Sequence, residues 1–293
     1  MTNTIDDSFI KHFQAEVVTA YQQMGSKLRS TVRSKTDVVG ESTTFQVIGK
    51  GSAATKNRNG TVPTMEVLHT PVTCTLADYY AGEWIDKLDE LKLGHDERRA
   101  VAQAGAYALG RKTDDLIITA LNTTTTSVGD GSTILTKDLI LEAFTKLNKA
   151  DVPDDGDRYA LVSPAQWNQL LEIEEFSSAD YVGDRTPFVA GCESRRWLGI
   201  NWIMHTGLPA NTTNGTHTCF IYHKNAVGHA VGFDIKTDIT WHGDYAAHFV
   251  NSMMSQGACL IDAKGAVKIV CLDEAPAEVA AETPAAGGEG GAS

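Results

Sequence analysis

The chain has 293 residues, 42% of them hydrophobic, and a formal charge of −12. That length can bury one large core or two modest ones. The acid excess argues against tight sequence-independent binding of nucleic acid, which needs Lys and Arg to neutralise phosphates, but is compatible with a protein that surrounds nucleic acid without gripping it.

The first ten residues carry Asp6 and Asp7 and no apolar signal-peptide core. No apolar run approaches the roughly 18 residues that span a bilayer, so the expectation is a cytosolic protein with no membrane partner. Residues 1–40 hold a helically spaced set (Phe9, Phe13, Val17, Val18, Tyr21) followed by Lys27, Arg29, Arg33 and Lys35. They predict an arm with one helix and a basic stretch, too small to be a domain.

An apolar run at Phe45, Val47 and Ile48 leads into Gly49-Lys50-Gly51-Ser52-Ala53-Ala54, the spelling G-x-G-x-x-A of a dinucleotide cradle. Such a cradle needs a helix to start at its glycines, because the pyrophosphate rests on free N–H groups at a helix N-terminus. The chain continues instead through Lys56-Asn57-Arg58-Asn59-Gly60 and Pro63, a series of turn formers. The β-prone pattern resumes at Met65, Val67, Leu68 and Val72. Residues 41–76 therefore predict a strand, a flexible tip and a returning strand, with the tip at Gly49, Lys50, Gly51, Lys56, Asn57, Arg58, Asn59 and Gly60. The aromatics of Asp78 to Ile85 then need a core to rest on.

Asp96 to Leu121 is the longest helical pattern, capped by Asp96, rich in alanine and striped by Val101, Ala104, Ala108, Leu109, Leu116, Ile117 and Leu121. At 1.5 Å per residue it would run roughly 39 Å, a structural spine. Thr136 opens an amphipathic helix that closes before Pro153, Tyr159 to Val162 reads as a strand, and Ser163-Pro164 opens another helix. Strand-like runs come next at Trp197 to Met204, Cys219 to Tyr222, Ala230 to Ile235, Gly257 to Ile261 and Ala266 to Leu272. The last two, joined by Asp262-Ala263-Lys264-Gly265, predict a hairpin. Residues 274–293 turn to Ala, Pro, Gly and Glu, a tail that cannot bury enough apolar surface to order itself.

Chemistry-bearing patterns are weak throughout. The five scattered cysteines form no C-x-x-C pair and read as reduced, buried small side chains. Six of nine histidines fall between His205 and His248 without ligand spacing. The acidic Asp151 to Arg158 places Pro153 and Val162 where a calcium loop needs oxygen ligands. Glu172, Glu174 and Glu175 read as a solvated helix end. No nucleophile elbow or P-loop is spelled. Neither enzyme activity, nor cofactor, nor metal is expected.

The order of elements and several local spellings resemble the major capsid protein of tailed bacteriophages, the Hong Kong 97 fold. "ERRAVAQAGAYALGRKTDDLIITAL" (Glu97 to Leu121) is similar to the family's spine helix, with its late D-x-x-I-x-x-A at Asp114 to Ala120. "LNKADVPDDGDRYALVSPAQWNQLL" (Leu147 to Leu171) resembles the family's helix, acidic turn, strand and following helix, and "WLGINWIMHTGLP" and "IYHKNAVGHAV" the strands that come next.

The resemblance, over residues 40–272, implies an α+β fold with an N-terminal arm (1–40) and an extended loop (41–76). It implies a peripheral domain (77–134 and 236–273, with spine helix 96–121), an axial domain (135–235) and a disordered tail (274–293). It implies a virion protein, assembled in the bacterial cytoplasm into an icosahedral shell of pentamers and hexamers around double-stranded DNA. A separate scaffolding protein and a portal at one vertex would be partners. Some family members crosslink through a lysine; Lys50 and Lys56 lie suitably, but no acceptor or catalytic glutamate can be placed, so non-covalent shells are expected. An encapsulin-like nanocompartment is the alternative, and a doubly wound α/β enzyme fits less well because the first 95 residues lack alternating strands and helices.

Overall fold

The structure, a computed structural model, describes residues 22–92, 96–177 and 195–274. In chain order its elements are β1 (Arg33–Lys35), β2 (Ser42–Ile48), β3 (His69–Thr75), β4 (Ala77–Asp86), α1 (Lys87–Lys92), α2 (Glu97–Asn122), β5 (Ser127–Val128), α3 (Lys137–Lys149) and β6 (Arg158–Val162). They continue with α4 (Pro164–Glu172), α5 (Glu174–Ser177), β7 (Arg195–Trp197), β8 (Ile200–Met204), β9 (Ala210–Asn211), β10 (Thr216–His223), β11 (Val227–His242), β12 (Ala247–Leu260) and β13 (Ala266–Leu272). The helices start where side chains can satisfy free N–H groups. Asp96 accepts from the Arg99 N–H at the head of α2, Thr136 from Leu139 at α3, and Ser163 from Gln166 at α4, where Pro164 comes next.

Two sheets carry the body. The seven-stranded sheet runs β5-β13-β10-β6-β8-β7, with β9 paired to β10. It is covered by α3, α4 and the C-terminal half of α2, and Ile117, Leu121, Ile140, Leu147, Trp167, Trp202, Phe220 and Ile269 form its core. The four-stranded sheet runs β1-β11-β12-β4, with β1 parallel to β11 and the other pairs antiparallel. α2 crosses this sheet closely: a Cβ at Gly105 would lie 2.8 Å from Ser252 Oγ, so a larger residue would push helix and sheet apart. Along α2 burial begins at Leu109. Of the predicted stripe, Ala104 is exposed and Val101 and Ala108 are half-buried, because only a thin sheet lies beneath them.

β2 and β3 form a separate two-stranded arm in register from Ser42↔Thr75 to Ile48↔His69, closed by the Gly49 N–H donating to Leu68 O at 2.8 Å. Its base is anchored in an apolar cluster, where Phe45, Cys74 and Leu76 pack with Ala230 and Ile261.

Several expectations change. The predicted hairpin of 257–261 with 266–272 does not form: β12 ends the four-stranded sheet, a short turn at Ala263–Gly265 redirects the chain, and β13 enters the other sheet between β5 and β10. The sheets do not follow the boundaries drawn at 135 and 235. Residues 266–272, placed with the spine helix, belong to the seven-stranded sheet along with 127–128, while 227–235 belong to the four-stranded one. The run from Trp197 to Met204 is two strands, turned at Leu198 and Gly199 with φ of 54° and 74°. Met65, Val67 and Leu68 precede β3 rather than lying in it. Tyr80 and Trp84, expected to rest on a core, are exposed. The stretch 27–35 is no free arm, since Leu28 and Val32 are buried in the main core and Arg33–Lys35 pairs with β11. The predicted helix at Phe9 to Tyr21 and the tail beyond Glu274 lie outside the described residues.

Candidate assembly surfaces

Three of the four basic side chains of the N-terminal stretch make contacts within the chain, and the fourth residue, Lys27, is exposed and is held by its backbone. The Arg29 guanidinium donates to both oxygens of Asp234 at 2.8 Å, a bond that raises its own pKa and lowers that of the carboxylate. Arg33 lies over the Phe45 ring at 5.8 Å, Lys35 Nζ donates to Thr43 Oγ1 at 2.7 Å, and the Lys27 N–H donates to Asp114. The contacts of Arg29, Arg33 and Lys35 fasten β1 and the base of the arm.

The arm's tip is a different surface. Gly49, Lys50, Gly51, Lys56, Asn57, Arg58, Asn59 and Gly60 are all exposed, and a turn closes Asn57 to Gly60 with an N–H···O bond of 3.0 Å. The stretch is not a helix start, so the glycine spelling cradles no phosphate here. Lys50 Nζ pairs with Asp151 of the acidic turn, and hydrogen bonding to that lysine lowers the Asp151 pKa. Behind this pair lies a crevice of about 650 Å³ between arm and body, lined by Ile48, Pro153, His223 and Lys264 among others. Apolar side chains on the arm stand in the open: Ile48 is 65% exposed, Val62 72%, Met65 61% and Leu68 75%.

A second exposed apolar group lies at the far end of the four-stranded sheet. Trp84 meets Tyr245 and Phe249 with ring centroids 4.9 and 4.6 Å apart, Trp241 meets His248 at 4.8 Å, and Trp84, Trp241 and Tyr245 are all exposed. The sequence offered only aromatic density near the β11–β12 turn as a signal for this cluster.

The histidines do not converge. His205 pairs with Asp114 at 3.1 Å, His217 with Asp273, His223 with Asp155 at 3.1 Å, and His229 with Gln256 at 3.1 Å, each in a different place. The Asp157 N–H and then His223 hold Asp155 below the usual carboxylate range. Among the described residues no group of three or more His, Cys, Asp or Glu could hold a metal ion. Glu175, read as part of a solvated helix end, pairs with Lys137. Cys74, Cys219 and Cys271 are buried and unbridged, as small apolar fillers would be. No helix among the described residues is long and apolar enough to cross a membrane.

Two sheets, one long helix shared between them and a projecting two-stranded arm define a shell subunit of the Hong Kong 97 type. A family model described as phage capsid protein matches residues 5–273, and the chain belongs to that family. It is a structural protein of the phage head shell, and its place is the virion. The fold is similar to a solved structure from Mycobacterium phage Che8 (TM-score 0.71, 19% identity, covering 90% of this chain and 98% of that one). It is similar also to the capsid of cyanophage P-SCSP1u (0.70, 18%, 92% and 94%). A virus-like particle from Pyrococcus furiosus is similar at TM-score 0.55 and 13% identity, covering 84% of this chain and 92% of that one. No curated protein matches the sequence.

Proposed function

We propose that many copies of this chain close into an icosahedral shell of pentamers and hexamers around double-stranded DNA. Assembly takes place in the bacterial cytoplasm on a separate scaffolding protein, with a portal at one vertex. The four-stranded sheet and the exposed half of α2 serve as the peripheral domain, and the seven-stranded sheet as the axial domain. The observation that carries this reading is the arm. Its four exposed apolar side chains are mostly uncovered within the subunit, and burying each against a neighbour contributes at most about 1.5–3 kcal/mol before the entropy of association is subtracted. A thin shell gains contact area in this way without enlarging any subunit's core. The net charge of −12 suits a wall that must release the DNA it encloses.

The fold is shared with the Pyrococcus virus-like particle, so an encapsulin-like compartment is the alternative. The phage capsid family membership favours the virion. The test is co-expression of the full chain with its scaffolding gene, followed by negative-stain microscopy. Closed particles tens of nanometres across are expected from an assembly of many such copies, and a monomer that never assembles overturns the reading. Boiled, reduced particles should run as one band at the 31.6 kDa chain mass; a ladder would show covalent crosslinks through Lys50 or Lys56.

A further inference from the structure

Asp114 is fully buried, yet it is a carboxylate. Five donors converge on it. Gln23 Nε2, Ser26 Oγ and the N–H groups of Lys27 (3.0 Å) and Leu28 (3.1 Å) come from one short segment, and His205 Nε2 (3.1 Å) comes from the loop after β8. One turn earlier on the same face of α2, Gly110 leaves a slot: a Cβ there would lie 2.6 Å from Gly25 Cα. Gly25 takes φ +77°, a left-handed turn that glycine adopts without strain. Beside them Arg111 Nη1 donates to Gln22 Oε1 at 2.7 Å. Slot, turn and anchor thus act on the same short stretch of chain.

Burial alone would raise the Asp114 pKa, but the hydrogen bonds from His205, Ser26, Lys27 and Leu28 outweigh it and hold the group ionised. A buried carboxylate without such partners would be strongly disfavoured, so the segment and the charge hold each other in place. Nothing in the shell reading assigns this aspartate a role, although it opens the D-x-x-I-x-x-A spelling of the spine helix.

We propose that Asp114 is the clasp that fastens the N-terminal segment to the subunit. It ties residues 23–28 to α2 as a strap whose inner end, Leu28, is seated in the main core. This inference concerns the isolated subunit and stands apart from the shell reading.

The test is hydrogen exchange and limited trypsin digestion of the full chain, comparing the parent with Asp114→Asn. The amides of Lys27 and Leu28 should exchange about tenfold faster or more in the variant, the scale of losing charge-assisted hydrogen bonds. Trypsin should cut after Lys27, while β10 and β13 keep the parent's protection. Unchanged protection of residues 22–29 in Asp114→Asn overturns the proposal. If that variant does not fold, the double variant Gln23→Ala, Ser26→Ala removes two donors and leaves the carboxylate. Loosening confined to 22–29 then supports the clasp. Loosening spread through both sheets, or none at all, overturns it.

Discussion

The two sheets of this subunit are built from similar residues and differ in what covers them. In the seven-stranded sheet, β10 and β13 are buried along most of their length, with aromatic side chains such as Trp167 and Phe220 sealed between helices and strands. In the four-stranded sheet the β11–β12 ladder shifts register between Val231 and Phe233 and again between Phe233 and Lys236, and β4 is mostly exposed. β11 changes character along its 16 residues, from a buried stretch at Val227–Val231 to an open one beyond Gly232. One region therefore gains its stability inside the chain. The other has backbone pairing with little apolar cover inside the subunit.

That contrast is sharpest under truncation of buried and exposed tryptophans. Trp202→Ala, in the covered sheet, should cost about 3–5 kcal/mol of subunit stability, read as a lower urea midpoint. Trp241→Ala, in the open one, should cost the isolated subunit less than about 1 kcal/mol yet reduce particle yield. Equal losses from both would erase the distinction between the regions.

Acid should weaken the junction between them. His229 is buried between the four-stranded sheet and α2, its Nε2 on Gln256, and burial lowers its pKa below 6.5. Asp114 is held below 3.8 despite its burial. Both shifts have one sign: the unfolded chain takes up each proton first. Stability is full above the unfolded pKa values and is lost as pH falls through the folded ones, from about 6.5 downward for the histidine and below about 4 for the aspartate. Thermal melts between pH 7 and 5 should fall in the parent and stay flatter in His229→Gln. Identical slopes would remove His229 from the account.

Smaller still is the Arg29–Asp234 pair, which is bidentate but partly exposed. Asp234→Ala should lower the urea midpoint by less than about 1 kcal/mol equivalent; a larger loss would mean that β1 is fastened mainly there. Least of all, deleting residues 50–67 should leave circular dichroism unchanged while abolishing closed particles. Misfolding of that variant would make the arm part of a core.

Legibility in the sequence tracks the range of the interactions involved. The caps at Asp96, Thr136 and Ser163 were legible because a cap and its N–H lie within three residues of each other. The turn at Asp262 to Gly265 was equally local and equally real, but which sheet β13 joins depends on β10 and β5, and no local spelling records that. The basic stretch looked like a free arm because Arg29 finds Asp234, a partner 205 residues away. Met65, Val67 and Leu68 read as strand because apolar residues are ordinarily explained by the subunit's own core. The arm was visible as a projection, whereas the aromatic end of β11–β12 and the convergence on Asp114 exist only once distant segments meet.

The place of β13 has a consequence for synthesis on the ribosome. It lies between β5 and β10 in the covered sheet, and two residues that anchor the arm, Ala230 and Ile261, precede it in the chain. The sticky arm is therefore translated early and its foundation late. At about 5–20 residues per second the delay between them is on the order of 10–40 s. A chain interrupted before Ala266 lacks β13 of the covered sheet, and one interrupted before Ala230 also lacks the residues on which the base of the arm is seated.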